Sequence, residues 1–310
     1  GDYATPTALM LGKKYSDVGR PNIDPREVAE EIAQKLKDLA IPEIEKIEVA
    51  GPGFINFYLA RDFFAKSVKE VVNVGSHFGN NESLKGQKVL FEYTDPNPFK
   101  VFHIGHLMPN VIGESLARLY ERSGALVSRA CYQGDVGLHV AKAITAVLAH
   151  GGKLPPEEVS LQDKASFFSS MYVEGNTKYE EDETFKAEVI RVNKAVYDRS
   201  DEEINRIYDL GRQWSLDNFE RLYQILGTSF NHYFFESETG KVGKKLVEEN
   251  LGKVFAESQG AVIYKGEDVG LHTRVFINSE GLPTYEAKEL GLALRKFALA
   301  EWDQSITVTA

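Results

Sequence analysis

Hydrophobic and polar positions along the first 74 residues follow two periods in turn. Val28, Ile32, Leu36 and Leu39 recur at helical spacing after Asp24 and Pro25, a residue pair that suits a helix N-cap and first turn. Two strand-like runs, 44–49 and 54–59, flank Gly51-Pro52-Gly53, and a helical pattern carrying Phe63, Phe64, Val68 and Val71 follows. This predicts a small α/β unit over 1–80. The polar stretch 75–86, with Asn80, Asn81, Glu82 and Ser83, reads as a linker.

A different alternation begins at residue 88. The run KVLFEY (88–93) has strand length and is followed by a proline-rich turn and a helix over about 105–122. A second strand at 126–132 and a second helix at 136–148 complete a β-α-β-α pattern, which predicts a parallel, doubly wound, Rossmann-like α/β sheet over 81–310. Residues 151–230 read as a helical insertion that ends in a long helix over 201–226. Strand patterns at 231–235, 261–264, 274–278 and 305–309 resume the alternation and are expected to extend the sheet. The acidic run Glu180-Glu181-Asp182-Glu183 reads as a solvated helix start, because adjacent carboxylates face different directions on a helix.

Composition narrows the class. The 310 residues are 43% hydrophobic and 26% charged, as in globular proteins. One cysteine, Cys131, excludes a disulfide framework and a cysteine-based zinc site. No apolar run has the length of a membrane span, so a cytoplasmic protein is expected. The net charge of -10 argues against a broad basic footprint for nucleic acid, although a limited contact face is compatible with it.

The chemistry concentrates in FEYTDPNPFKVFHIGHLMPNVIG (91–113), where a strand ends and His103-Ile104-Gly105-His106 opens a helix. A helix start at the carboxyl end of a parallel strand offers unpaired N–H groups and a positive dipole end, which suit a phosphate. Gly105 leaves room for a nucleotide, His103 and His106 can donate to phosphoryl oxygens, and Lys100 can add a charge. Taken alone, a histidine pair at i, i+3 fits a metal half-site or two packed rings equally well. Its position after the first strand of the sheet resembles the histidine signature of class I aminoacyl-tRNA synthetases.

The flanking residues Glu92-Tyr93-Thr94-Asp95-Pro96-Asn97-Pro98-Phe99-Lys100 resemble the arginyl members' version of this loop. That resemblance implies that Glu92, Asn97 and Lys100 hold the amino acid's α-group and the ATP phosphates. It assigns catalysis to Lys100, His103 and His106, and ATP binding to those residues with Gly105. Gly134-Asp135-Val136-Gly137 is similar to the family's Gly-Asp-x-Gly turn, with Val136 in place of the usual aromatic. A buried guanidinium must be met by carboxylates with bidentate geometry. Tyr233-Phe234-Phe235-Glu236-Ser237 resembles the segment whose glutamate meets it, and Tyr285 with Glu289 resembles the Tyr-x-x-x-Asp helix motif. Glu289 stands where aspartate is usual, so the charge is kept on a side chain one methylene longer.

The resemblance extends to the N-terminal unit, where Gly1-Asp2-Tyr3 and Gly51-Pro52-Gly53-Phe54-Ile55-Asn56 look like part of the family's tRNA-elbow-binding domain. It implies ATP-dependent activation of L-arginine and transfer to tRNA(Arg) by a monomer. Magnesium would accompany ATP, with no tightly bound cofactor and no metal site of the protein's own. The family continues past residue 310 into a second lysine motif and an anticodon-binding domain, so this chain is expected to be impaired alone.

Overall fold

The computed structural model describes residues 1–17 and 24–309, in two compact units, Gly1–Gly79 and Asn80–Ala310. In the first unit, strand β1 (Tyr3–Thr5) and helix α1 (Thr7–Asp17) precede α2 (Pro25–Asp38), β2 (Ile44–Ala50), β3 (Phe54–Leu59) and α3 (Arg61–Val74). The three strands form an antiparallel sheet in the order β1-β3-β2. Asp24 caps α2 by accepting from the Arg26 amide at 2.9 Å, with Pro25 in the first turn.

The stripe expected on α2 is shifted in the fold. Ala29 and Ala33 are the buried positions, Val28, Ile32 and Leu36 pack beside them, and Leu39, at the C-cap, is 68% exposed. Small residues let the helix approach the sheet closely, and the larger neighbours close the sides. No residue of α3 is buried, although its apolar spacing is that of an amphipathic helix. Periodicity marks an apolar face, but only an opposing surface buries it.

In the second unit, β4 (Lys88–Tyr93), α4 (Ile104–Arg122), β5 (Leu126–Gln133) and α5 (Leu138–Ala149) lead into α6 (Leu161–Glu181), α7 (Glu183–Asp198) and α8 (Glu202–Leu226). Asp182 and Asp201 cap α7 and α8, so the acidic run straddles a helix junction. Then follow β6 (His232–Phe235), α9 (Glu236–Glu249), β7 (Ala256–Ser258), β8 (Ala261–Tyr264), β9 (Arg274–Ile277), α10 (Tyr285–Leu299) and β10 (Gln304–Val308).

The parallel sheet has four strands in the order β10-β4-β5-β6. The expectation that 261–264 and 274–278 extend it is corrected, because β7, β8 and β9 form a separate antiparallel sheet. The short connection between β8 and β9 accounts for this, since a parallel neighbour needs a crossover of a dozen or more residues.

Helices cover both faces of the parallel sheet. Val89, Phe91 and Tyr93 pack with Ala117 of α4, Ile306 and Val308, whereas Leu90, Ala130, Tyr132 and Phe234 pack with Leu292 of α10. A strand buried on both faces should be apolar throughout, which makes the buried Glu92 an anomaly that needs a partner. Helices α5 to α8 share a separate core built around Ile144, Phe168, Val192 and Ile207. No described helix is long and apolar enough to cross a membrane.

Helices α9 and α10 touch through their backbones. A Cβ on Gly243 would collide with the Ala287 carbonyl, and one on Gly291 with that of Thr239. This close approach brings the first turn of α9 to the same place as the first turns of α10.

Candidate active site

A cleft of about 410 Å³ opens across the carboxyl ends of all four parallel strands. Glu92, Asn97, His103, Gly105, His106, Glu236, Tyr285 and Glu289 all line it. Eight positions selected from three separated segments of sequence therefore meet in one cavity. Lys100 does not line it; its ammonium lies 4.4 Å from the Tyr172 ring centre, against α6. A cation over an aromatic face keeps its charge satisfied without a carboxylate.

The loop that carries the motif is held in an uncommon backbone conformation. Thr94, Asp95 and Phe99 have φ of 81°, 43° and 68°, the left-handed region that non-glycine residues rarely adopt. Each is held from outside. Thr94 Oγ1 accepts from Asn110 Nδ2 at 2.9 Å, Asp95 Oδ1 accepts from the Tyr132 amide at 2.7 Å, and the Phe99 amide donates to Ser215 Oγ at 3.1 Å. Strain of this kind persists where surrounding contacts over-determine the loop.

The histidines form a unit. His103 Nδ1 accepts from the Gly105 amide at 3.0 Å, and His106 Nδ1 accepts from the His103 amide at 3.4 Å. With Nδ1 used as acceptor, the proton of each neutral ring sits on Nε2. The rings stack with centres 3.9 Å apart. Burial, then the neighbouring His103 and Lys100, push the His106 pKa down to about 4, so its ring is neutral near pH 7.

This arrangement corrects one expectation and adds to another. The Gly105 amide is capped by His103 rather than free for a phosphate. A Cβ on Gly105 would lie 2.9 Å from His103 Cε1, so glycine here also lets the ring fold back over the helix start.

The same cleft is lined by carboxylates. Glu236, first residue of α9, meets Lys288 Nζ of α10 at 2.6 Å. Burial pushes the Glu236 pKa up, and Lys288 opposes the rise. For Lys288, burial acts downward but the charges and hydrogen bonds of Glu236 and Tyr197 together outweigh it, so its pKa is raised and the amine stays protonated.

Tyr285 and Glu289 lie one turn apart and interact. Burial first, then the Glu289 charge and hydrogen bond, push the tyrosine up to about 12. Burial and the charge of Glu92 raise Glu289. Glu92, only 3% exposed, has Lys296 Nζ at 2.9 Å from Oε2, and that oxygen has no aligned hydrogen bond.

Sequence reasoning did not select Asp95, Lys288 or Lys296. Asp95 lines the cleft, and burial followed by the charge of Glu92 holds its pKa well above the usual carboxylate range. Lys288 and Lys296 were detectable, because with Leu292 they fall at i, i+4 and i+8 on the buried face of α10. Lysines on an apolar stripe signal buried carboxylates. Among the described residues, no group of three or more His, Cys, Asp or Glu is arranged to hold a metal ion.

A parallel α/β sheet with stacked histidines at a helix start beyond its first strand has the architecture of a class I synthetase catalytic domain. Residues 67–310 match the family model for the catalytic domain of class I (R) tRNA synthetases, and residues 1–59 match that for the arginyl tRNA synthetase N terminal domain. The chain therefore belongs to the class I arginyl-tRNA synthetase family.

It is 31% identical to an arginine–tRNA ligase of Thermococcus sibiricus over 88% of this chain and 48% of that protein. It is 30% identical to the cytoplasmic arginine–tRNA ligase of Homo sapiens over 72% of this chain and 35% of that protein. The fold matches the Thermus thermophilus arginyl-tRNA synthetase with a TM-score of 0.57 at 23% identity, covering 97% of this chain and 48% of that one. The chain thus spans about half the length, or less, of these relatives.

Proposed function

We propose that this chain carries the amino-acid-activating site of an arginine–tRNA ligase, which joins L-arginine to AMP from ATP and then passes it to tRNA(Arg). The observation that carries the reading is the polarity of the cleft. His103 and the neutral His106 line it together with the carboxylates of Glu236, Glu289 and Glu92.

In the reaction, the arginine carboxylate attacks the α-phosphate, forming a carboxyl–phosphate bond and releasing pyrophosphate. His103 and His106 present Nε2–H donors to the phosphoryl oxygens as charge builds there. A neutral His106 fits this role, because it donates a hydrogen bond without transferring its proton. Asn97 and Glu92 take the amino acid's α-group, Gly105 leaves room for the His103 ring beside the nucleotide, and Glu236, Tyr285 and Glu289 take the guanidinium. Lys100, set back against Tyr172, contributes to the field at the phosphates rather than a contact. Magnesium, arriving with ATP, would supply charge screening for the phosphates. The setting proposed is a cytoplasmic monomer, with no membrane partner.

Calorimetric titration with L-arginine and with citrulline, each with and without ATP and magnesium, tests the reading. Arginine should bind and citrulline, its neutral near-isostere, should bind on the order of a hundred-fold more weakly, because carboxylates left facing a neutral group lose their pairing. Equal affinity for the two would overturn it.

A further inference from the structure

The turn that leaves β5 touches two groups of the amino-acid cleft, Asn97 and Glu236. Asp135 is fully buried and belongs to no wall of that cleft. Its carboxylate accepts from the Ser237 amide at 2.8 Å, from Ser237 Oγ at 2.7 Å and from Arg212 Nε at 2.7 Å. The hydroxyl of Tyr208 adds a longer contact at 3.4 Å.

These donors come from two elements with different fates. Arg212 and Tyr208 lie on α8, in the helical layer. Ser237 is the second residue of α9, directly after Glu236. The N-cap of α9 is Phe235, whose side chain cannot cap, so this helix begins without a cap of its own. Asp135 supplies from another segment what an N-cap aspartate supplies locally: an acceptor for an early amide and a negative charge at the positive end of the dipole. The Arg212 guanidinium also lies 4.1 Å from the Phe235 ring centre, which grips the residue on the other side of Glu236.

The residue before Asp135 meets the remaining groups. A Cβ on Gly134 would collide with Asn97 Oδ1 and would stand 3.6 Å from Glu236 Cδ. His139 fixes the same residue by hydrogen bonding to the Gly134 carbonyl at 2.9 Å. One dipeptide therefore abuts the group proposed for the α-end of the ligand and governs the group proposed for its guanidinium end.

We infer that Gly134-Asp135 sets the separation between Asn97 and Glu236, and that Asp135 is a positioning residue through which the cleft selects for side-chain length. The inference rests on the arginine reading of the cleft. With α9 pinned, an arginine spans the two ends and a chain one methylene longer overshoots. With the pin loosened, Glu236 yields to the longer chain.

The test titrates the 310-residue chain with L-arginine and L-homoarginine in wild type, Asp135→Asn, Ser237→Ala and Glu236→Gln. Wild type should prefer arginine. In Asp135→Asn, arginine affinity should fall about ten-fold, the scale of a lost helix cap. Homoarginine should fall less, so that the preference narrows. Ser237→Ala, which removes only the hydroxyl donor, should move the ratio the same way by a smaller factor, and it carries the test alone where Asp135→Asn does not fold. An unchanged ratio in both variants, whatever happens to the two affinities together, overturns the inference, since a purely structural residue weakens both ligands equally. Glu236→Gln separates the two ideas. If it leaves arginine binding intact, or wild type binds no arginine, the reading of the cleft fails and takes the inference with it. If it abolishes binding while the Asp135 and Ser237 variants keep the wild-type ratio, only the positioning role fails.

Discussion

Lys288 Nζ stands 2.6 Å from Glu236 Oε2, so the carboxylate proposed to meet a guanidinium already carries a cation of the protein's own. The Lys288 charge opposes the upward pull of burial on Glu236, and its hydrogen bond is made to Oε2. An incoming guanidinium then shares Glu236 with Lys288 and depends on Glu289 for its second carboxylate.

Replacing Lys288 with Met should convert this site into a pH-sensitive one. Burial already raises Glu236, and removing the opposing ammonium raises it further. Arginine binds the carboxylate form, so affinity should be retained at high pH and lost as pH falls through the raised value, with a midpoint above that of wild type. Titrations between pH 5 and 9 would show this. Identical profiles for variant and wild type would mean that Lys288 does not hold the charge state of Glu236.

The pair formed by Glu92 and Lys296 permits a cleaner separation of charge from packing. Both are buried, and Lys296 Nζ is 2.9 Å from Glu92 Oε2. Removing one partner leaves an uncompensated buried charge, which costs about 3 to 5 kcal/mol, whereas replacing both by neutral groups costs far less. Lys296→Met should therefore lower the urea midpoint strongly, and Glu92→Gln combined with Lys296→Met should recover most of it. The double variant should still fail to bind arginine, because Glu92 is the group assigned to the ligand's α-ammonium. Additive losses in the double variant would show that the two side chains do not act as a pair.

Much of this was legible in the sequence, because the decisive signals are local. A strand, a turn and a helix start are encoded within 91–113, and the anomaly of Glu92 in an apolar strand is visible without coordinates. Glu236, Tyr285 and Glu289 were reachable because each sits in a short motif at the start of a helix. Long-range pairing was not legible. The short connection between the runs at 261–264 and 274–278 is a local signal against parallel pairing, but β7, with the sequence Ala-Glu-Ser, has too little apolar pattern to announce itself as the partner of β8. The fate of Lys100 was hidden for a similar reason: the Tyr172 ring that receives it comes from a helix more than 70 residues away. The Asp135 clamp was visible only as a turn motif, because its partners Arg212 and Ser237 are brought to it by the insertion and by α9.

The two buried histidines should destabilise the fold as pH falls, while the raised carboxylates Asp95, Glu236 and Glu289 act with the opposite sign. His106 is lowered from an ordinary value of 6.5 to about 4, and His139 to about 3, in both cases chiefly by burial. The unfolded chain takes up protons on these rings below about pH 6.5 while the folded chain does not, so stability falls with pH from there down to the folded values. Urea midpoints measured from pH 7.5 to 5 carry this histidine decline, which is isolated by comparing wild type with a variant lacking one of the rings. His139→Asn, which retains an amide donor for the Gly134 carbonyl, should flatten the decline. A slope unaffected by that replacement would remove His139 from the account.

The length of Glu289 yields the last prediction. Glu289 and Tyr285 share a hydrogen bond across one turn of α10, and both face the cleft with Glu236 and Glu92. The aspartate usual at this place in the family would have its carboxylate about one bond length nearer the helix. Glu289→Asp should therefore do two things at once. It withdraws charge from the guanidinium position, weakening arginine on the order of ten-fold, a typical penalty for a charged hydrogen bond drawn out of reach. It also releases the Tyr285 hydroxyl, whose pKa should fall from about 12 toward the ordinary tyrosine range as the carboxylate recedes. Spectrophotometric titration of the phenol and calorimetry with arginine read the two effects separately. A variant that binds arginine better while Tyr285 shifts as expected would mean that Glu289 reaches too far into the cleft in the parent chain, with Glu236 and Tyr285 carrying the recognition between them.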